Sequence, residues 1–192
     1  LDNARLYEDS VSRATELDSR SQRLTALNRF TSGLTGLLDA EQILNLTADE
    51  LLKALNVQRV SIVTFERGQA YWRVASPRLK IKFPRLLPDS PIFNRLRESL
   101  GIFNTNDVRN EPDLASLLEI LHENTSALLI LPLISGQNLT GLVFAQMTGE
   151  ERFGSNEIEV SLTITNQSTI ALENARLYQS TVRTAERLAI LN

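Results

Sequence analysis

The 192 residues contain no cysteine and a single histidine, His122. The first absence excludes disulfides, thiolate metal sites, cysteine nucleophiles and thioether-linked cofactors; the second excludes any site that needs two imidazoles. Positive charge is not in excess: 20 Lys and Arg against 23 Asp and Glu give a net charge of -3. No global field therefore draws the chain to nucleic acid, which is not an expected partner. No apolar run approaches the roughly 18 to 20 residues needed to span a bilayer, and no direct membrane contact is expected. The opening Leu1-Asp2-Asn3-Ala4-Arg5 lacks both an initiator methionine and the pattern of a secretory leader, and reads as a slice of a longer polypeptide. Aromatics are sparse at 6 %, yet 42 % apolar residues over this length suffice for one well-buried core.

What is present, first, is a repeat. Leu1-Asp2-Asn3-Ala4-Arg5-Leu6-Tyr7 returns as Leu172-Glu173-Asn174-Ala175-Arg176-Leu177-Tyr178 at an offset of 171, which holds through Val11/Val182 and Ala14/Ala185. Arg23-Leu24-Thr25-Ala26-Leu27-Asn28 then matches Arg187-Leu188-Ala189-Ile190-Leu191-Asn192 at an offset of 164, one heptad less. A whole heptad lengthens a coiled coil without rotating its apolar seam. Ala4, Tyr7, Val11, Ala14, Leu17, Leu24, Leu27, Leu34 and Leu38 step by three or four once Ser21 and Thr31 are admitted; Ile164, Ser168, Ala171, Ala175, Tyr178, Val182, Ala185, Leu188 and Leu191 do the same. Both ends read as linker helices, 1–28 and 172–192, around a domain at 29–171. Ala4, Tyr7, Val11, Ala14, Ala175, Tyr178, Val182 and Ala185 are the expected seam of a parallel homodimer. From Leu27 to Leu38 the stripe reads better as packing on the chain's own domain.

Between the linkers, Asp39 is an N-cap with Gln42 three residues on, and predicts a helix over about Ala40 to Leu55. Val57 to Phe65 and Gln69 to Ala75 read as strands around the turn Glu66-Arg67-Gly68, and Ala127 to Ile134 and Leu139 to Met147 as strands around Ser135-Gly136-Gln137-Asn138. The run Ala127-Leu128-Leu129-Ile130-Leu131 is apolar at odd and even positions alike, so both faces of the sheet are covered. Helices serve one face. The other is left to Pro77 to Thr125, which holds five of the six prolines and predicts loops with a helix near Ser90 to Ser99, a short strand at Ile102-Phe103 and a helix over Leu114 to His122. A loop-rich cover over a sheet is a common place for a ligand pocket.

Few residues carry chemistry. His122 lies between Glu119 and Glu123, a general-base pattern whose plainer reading is a solvated helix end; His122-Glu123 opens an H-E-x-x-H motif that has no second histidine. Arg67, Arg73, Arg78, Lys80, Lys82 and Arg85 stand between Arg67 and Leu87 with no acidic residue among them. Arg73, Arg78 and Lys80 are candidates to face the pocket mouth and hold an anionic small molecule; the plainer reading is a charged edge strand. Trp72, Phe93, Phe103, Leu128 and Ile130 are candidate pocket lining, with ordinary core as the alternative.

The ordered stretches Leu24 to Ile43, Asn106-Asp107-Val108, Ser126 with Leu128 and Pro132-Leu133, Thr140-Gly141-Leu142-Val143, Phe153 with Glu157, and Ala171 to Tyr178 resemble those of a GAF domain, a small-molecule-binding and signalling module, over essentially Leu24 to Tyr178. The resemblance implies an α+β fold: an antiparallel sheet of five or six strands, a helical layer on one face and a ligand cavity under loops on the other, here flanked by long coiled-coil helices. Members that attach a bilin do so through a cysteine before the "PL" strand, and members that reduce free methionine sulfoxide also use cysteines, so no covalent cofactor is expected and a non-covalent ligand stays unidentified. The Asn-Lys-Phe-Asp-Glu set of cyclic-nucleotide binders is not recognisable. Gly154 replaces the usual Ser or Thr cap of the last helix.

The resemblance thus implies a non-enzymatic sensory or regulatory domain of a cytoplasmic bacterial signal-transduction protein, such as a sensor histidine kinase. Its partners would be a second copy and adjacent GAF, PAS or kinase domains of the same chain. The alternative is a dimerisation relay that binds nothing; a small-molecule enzyme using His122 is the third reading.

Overall fold

The computed structural model describes residues 2–78, 90–118 and 121–190, which divide into two compact units on either side of Thr35 and Gly36. The first unit is a single helix, α1 (Asp2–Leu34), about 50 Å long at 1.5 Å per residue. No glycine or proline interrupts it before Gly33. Thr15, Thr25 and Thr31, poor helix formers, return their hydroxyls to the carbonyls of Val11, Ser21 and Leu27 at 2.9 Å each. Tyr7, Val11, Leu17 and Leu24 are exposed along it.

The first element of the second unit follows Asp39, whose carboxylate accepts the Glu41 N–H at 2.9 Å and starts α2 (Ala40–Leu55). Asn56 ends that helix in the left-handed region at φ 48°, donating to the carbonyls of Leu52 and Lys53. β1 (Arg59–Glu66) and β2 (Gln69–Ser76) follow around Arg67 and Gly68, both at positive φ as a two-residue hairpin demands. Then come α3 (Pro91–Ser99), the short β3 (Phe103–Thr105), two 3-10 turns, and the long hairpin of β4 (Thr125–Ser135) and β5 (Asn138–Thr148). The last element is α4 (Ser155–Ile190), 36 residues long. Gly154 is its N-cap: Glu157, three residues on, accepts the Gly154 N–H at 3.1 Å, so the reciprocal half of a capping box survives without a hydroxyl.

The five strands are antiparallel throughout, in the order β2-β1-β5-β4-β3. α2 and α4 pack together on one face. On the other, α3 and the 3-10 turns cover a cluster that includes Phe93, Leu96, Leu114, Leu117, Leu128, Ile130 and Phe144. Both faces of β4 are therefore buried from Ala127 to Leu133, as its continuous apolar run requires. Pro132 is tolerated in this strand because β3 pairs only with Leu128 to Ile130; beyond Ile130 the outer side of β4 has no ladder among the described residues to receive an N–H.

One expected helix is corrected. Where a helix over Leu114 to His122 is expected, the chain forms a 3-10 turn at Pro112–Leu117, after another at Val108–Asn110; residues 119–120 lie outside the described residues. Leu114 and Leu117, three apart, bury on one side of the 3-10 spiral, so the three-four apolar spacing that suggested a helix is met by a tighter turn.

Candidate functional site

The face of the sheet turned away from α2 and α4 presents Val63, Leu142, Phe144, Ile130, Leu128 and Phe103, residues that the antiparallel register places opposite or diagonal to one another. Phe93 from α3 meets Phe144 edge-on at 6.4 Å and Phe65 at 5.8 Å, and Trp72 lies 5.9 Å from Phe144. Phe93, Phe103, Leu128 and Ile130, four of the candidate lining residues, are thus brought together with half-buried Trp72 as one continuous core.

Arg73 does not join them. It is the extra residue of a β-bulge, falling between the pairs Ile62–Val74 and Val63–Trp72. Its Nε donates to Thr64 Oγ1 at 2.7 Å, its guanidinium is ion-paired with Glu66, and it lies 5.3 Å over the Tyr71 ring. Thr64 and Glu66 alternate with Val63 and Phe65, so Arg73 is held on the opposite face to Trp72. Arg73 is thus placed by its contacts with Thr64 and Glu66 and lies away from the cluster that Trp72 packs against. Arg78 is exposed two residues past β2, and Lys80 lies outside the described residues.

A groove of about 350 Å³ opens beside the start of β4, lined by Val108, Arg109, Leu118, Leu121, His122, Glu123 and Thr125. His122 donates its backbone N–H to Gln146 Oε1 at 2.8 Å, and its Nδ1 accepts the Asn124 N–H at 3.3 Å. Thr125 donates its hydroxyl to the same Gln146 oxygen at 3.3 Å. Gln146, buried in β5, so fastens the turn before β4, and His122 takes part as a turn residue. Glu119 lies outside the described residues. Among the described residues no three His, Asp or Glu side chains converge as metal ligands.

Three features were not anticipated from the residues. Ser61, opposite Phe144, and Ser90, just before α3, are buried hydroxyls without a hydrogen-bond partner. A serine between Val60 and Ile62 in an apolar strand is the signal that Ser61 offered. Burial lowers the pKa of Arg59, which pairs with Gln146 across β1 and β5. Finally, α4 turns Ser161, Thr165, Ser168 and Thr169 inward, and Thr47 of α2 lies 2.7 Å from Ser168, hydroxyl to hydroxyl. The helix layer is joined by hydroxyls where leucines are more usual.

Along the linker helices the expected seam is mixed in exposure. Tyr7 is 72 % exposed, and Val11, Ala14, Tyr178, Val182 and Ala185 are also exposed, whereas Ala175 is covered within the chain at 1 %. The side chain of Ala4 lies outside the described set. No helix among the described residues is long and apolar enough to cross a membrane.

The GAF domain family matches residues 39–172. Comparison with curated protein sequences gives no match. Among solved structures, the GAF domain of a phosphoenolpyruvate-protein phosphotransferase from Acinetobacter is similar with a TM-score of 0.70 at 14 % identity, over 81 % of this chain and 95 % of that one. A free methionine-R-sulfoxide reductase from Neisseria meningitidis, solved with its substrate, gives 0.67 at 16 % identity over 81 % and 91 %. A domain of a two-component sensor histidine kinase protein from Sinorhizobium meliloti gives 0.55 at 22 % identity over 70 % and 91 %.

Proposed function

This chain belongs to the GAF domain family, and on that premise we propose that it is a non-enzymatic sensory or regulatory domain of a multidomain bacterial signal-transduction protein, a sensor histidine kinase or a related regulator in the cytoplasm. The observation that carries this reading is α4. Its Ile164, Thr165 and Ser168 are buried in the helix layer on the sheet, and the same unbroken helix runs on to exposed Tyr178 and Val182. A change in packing at the sheet is felt at Tyr178 with no joint between. A parallel homodimer would bring the exposed seams of two copies together and pass that change on as altered helix pairing. The fold it shares with a methionine sulfoxide reductase supplies no matching chemistry, because a chain without cysteine has no thiol to reduce a sulfoxide.

A second reading, a relay that binds nothing, is favoured by the continuous core that Phe93, Phe103, Leu128, Ile130 and Phe144 make where a ligand would be looked for. A native mass spectrum of the purified protein separates the two. Mass above that of the chain, lost on denaturation, supports a bound small molecule. The bare mass of a dimer supports the relay, and a bare monomer at high micromolar concentration counts against both.

A further inference from the structure

We infer that the groove beside the start of β4 is a binding site for a free α-amino acid with an aliphatic side chain, separate from the filled face beneath α3. The inference does not rest on the sensory reading, since it concerns what the groove holds and not what the domain signals.

The middle of the covered face is filled by Phe93, Ile130 and Phe144, whereas the groove of about 350 Å³ lies between the first 3-10 turn, the end of the second and the first residue of β4. That volume is near the small end of the roughly 300 to 1,000 Å³ range of small-molecule sites. Its floor is apolar. Val108 and Leu121 belong to the buried cluster and also line the groove, so they form the edge of that cluster, and Leu118 in the same lining is 40 % exposed.

Two charges of opposite sign share this lining, Arg109 and Glu123. Neither has an ion pair or a side-chain hydrogen bond among the described residues, so they are not spent on each other. A simple anion would suit Arg109 and be repelled by Glu123, and a simple cation the reverse; an apolar molecule would take water from both charges and give nothing back. A molecule with a carboxylate, an ammonium and an apolar body answers all three parts of the lining, and an α-amino acid is the smallest that does. The guanidinium fork of Arg109 matches the two oxygens of its carboxylate.

His122 and Thr125 supply one further group for each end. His122 Nδ1 already accepts the Asn124 N–H, so in the neutral ring the proton is on Nε2, a second donor for a carboxylate. Thr125 gives its hydroxyl proton to Gln146, which leaves Oγ1 to accept from an ammonium. The His122 N–H and the Thr125 hydroxyl are both fastened to the Oε1 of buried Gln146, so this wall is in place before a ligand arrives.

The test is calorimetric titration of the protein with L-valine, L-leucine, L-isoleucine and L-methionine, followed by the amide and the N-acetyl form of whichever binds best. The amide lacks the carboxylate and the N-acetyl form lacks the ammonium, and each is expected to bind at least about tenfold more weakly than the free amino acid. Arg109→Gln should weaken the free amino acid by a similar factor and remove its advantage over the amide; Glu123→Gln should remove its advantage over the N-acetyl form. As neither side chain has a partner in the fold, both variants should keep the urea midpoint of the unaltered protein. The comparison of blocked and free ligands on the unaltered protein decides the matter whatever the variants do. No binding of any of the four at millimolar concentration, equal binding of the blocked forms, or affinity unchanged by both substitutions would each overturn the site. None of these outcomes depends on whether two copies pair, so this site and the sensory reading can fail separately.

Discussion

A β-carbon added at Gly141 would stand 2.5 Å from the Val63 carbonyl oxygen and 2.9 Å from Leu133 Cδ1. Gly141 lies in β5 between β1 and β4, so the Val63 carbonyl, unlike the Leu133 side chain, cannot retreat without opening a ladder. Gly141→Ala is expected to cost about 1 to 3 kcal/mol, as overpacking does, read as a lowered urea midpoint; an unchanged midpoint would mean that the sheet yields there. Arg73 makes the opposite case. Its contacts with Glu66 and Thr64 are on the surface, so Arg73→Ala should lower stability by less than about 1 kcal/mol. It should also leave any thermal-shift response to anionic metabolites as it was; loss of such a response would return Arg73 to the binding site. These residues divide what is readable. Thr140-Gly141-Leu142-Val143 stands out as a motif, but the reason for its glycine is a contact with Val63, 78 positions away in the chain. The face of Arg73 is set instead by its contacts with Thr64 and Glu66, because the bulge breaks the alternation along β2 at that residue.

Secondary elements announce themselves when local signals agree. Asp39 before an apolar three-four stripe, Arg67-Gly68 between alternating strands and Gly136-Gln137 between apolar ones each combine a turn residue with a period, and α2 and both hairpins lie within two residues of where these signals put them. Leu114 to His122 offered a stripe without a helix's other signals: Glu111, the residue before Pro112–Leu117, makes no side-chain cap, and the turn itself is only six residues long. What the stripe does fix is burial, since Leu114, Leu117 and Leu121 are all inside. The hydroxyl contact between Thr47 and Ser168 is illegible for another reason: serine and threonine at three-four spacing look like a polar face until a second helix is seen to cover them. At this scale the paired-helix proposal is open to a direct measurement. Single cysteines at exposed Val11 or Val182 should crosslink like with like under mild oxidation. Monomeric sedimentation together with no crosslink at either position would remove the dimer.

For the whole molecule the decisive property is that its linkers differ by seven residues. If bearing rather than length carries the signal, deleting seven residues, Leu17 to Arg23, should leave parent output near normal, whereas deleting four should not. Four residues turn a straight helix about 40° past a full revolution and break the 3.5-residue repeat. Autophosphorylation, where the parent is a kinase, measured across deletions of one to eight residues, is the readout; a smooth decline with no recovery at seven would leave a flexible tether as the better description. A domain of a multidomain protein would meet a hazard that an isolated one escapes, because tethering raises the effective concentration of neighbouring sheet edges. Both rims are unsuited to pairing. The β2 rim is bent by the bulge at Arg73 and carries a charged pair, and the β4 rim past Ile130 meets Pro132, which has no N–H to offer an incoming strand. Rims closed in this way would let such a domain be tethered beside others without its sheet being extended by theirs.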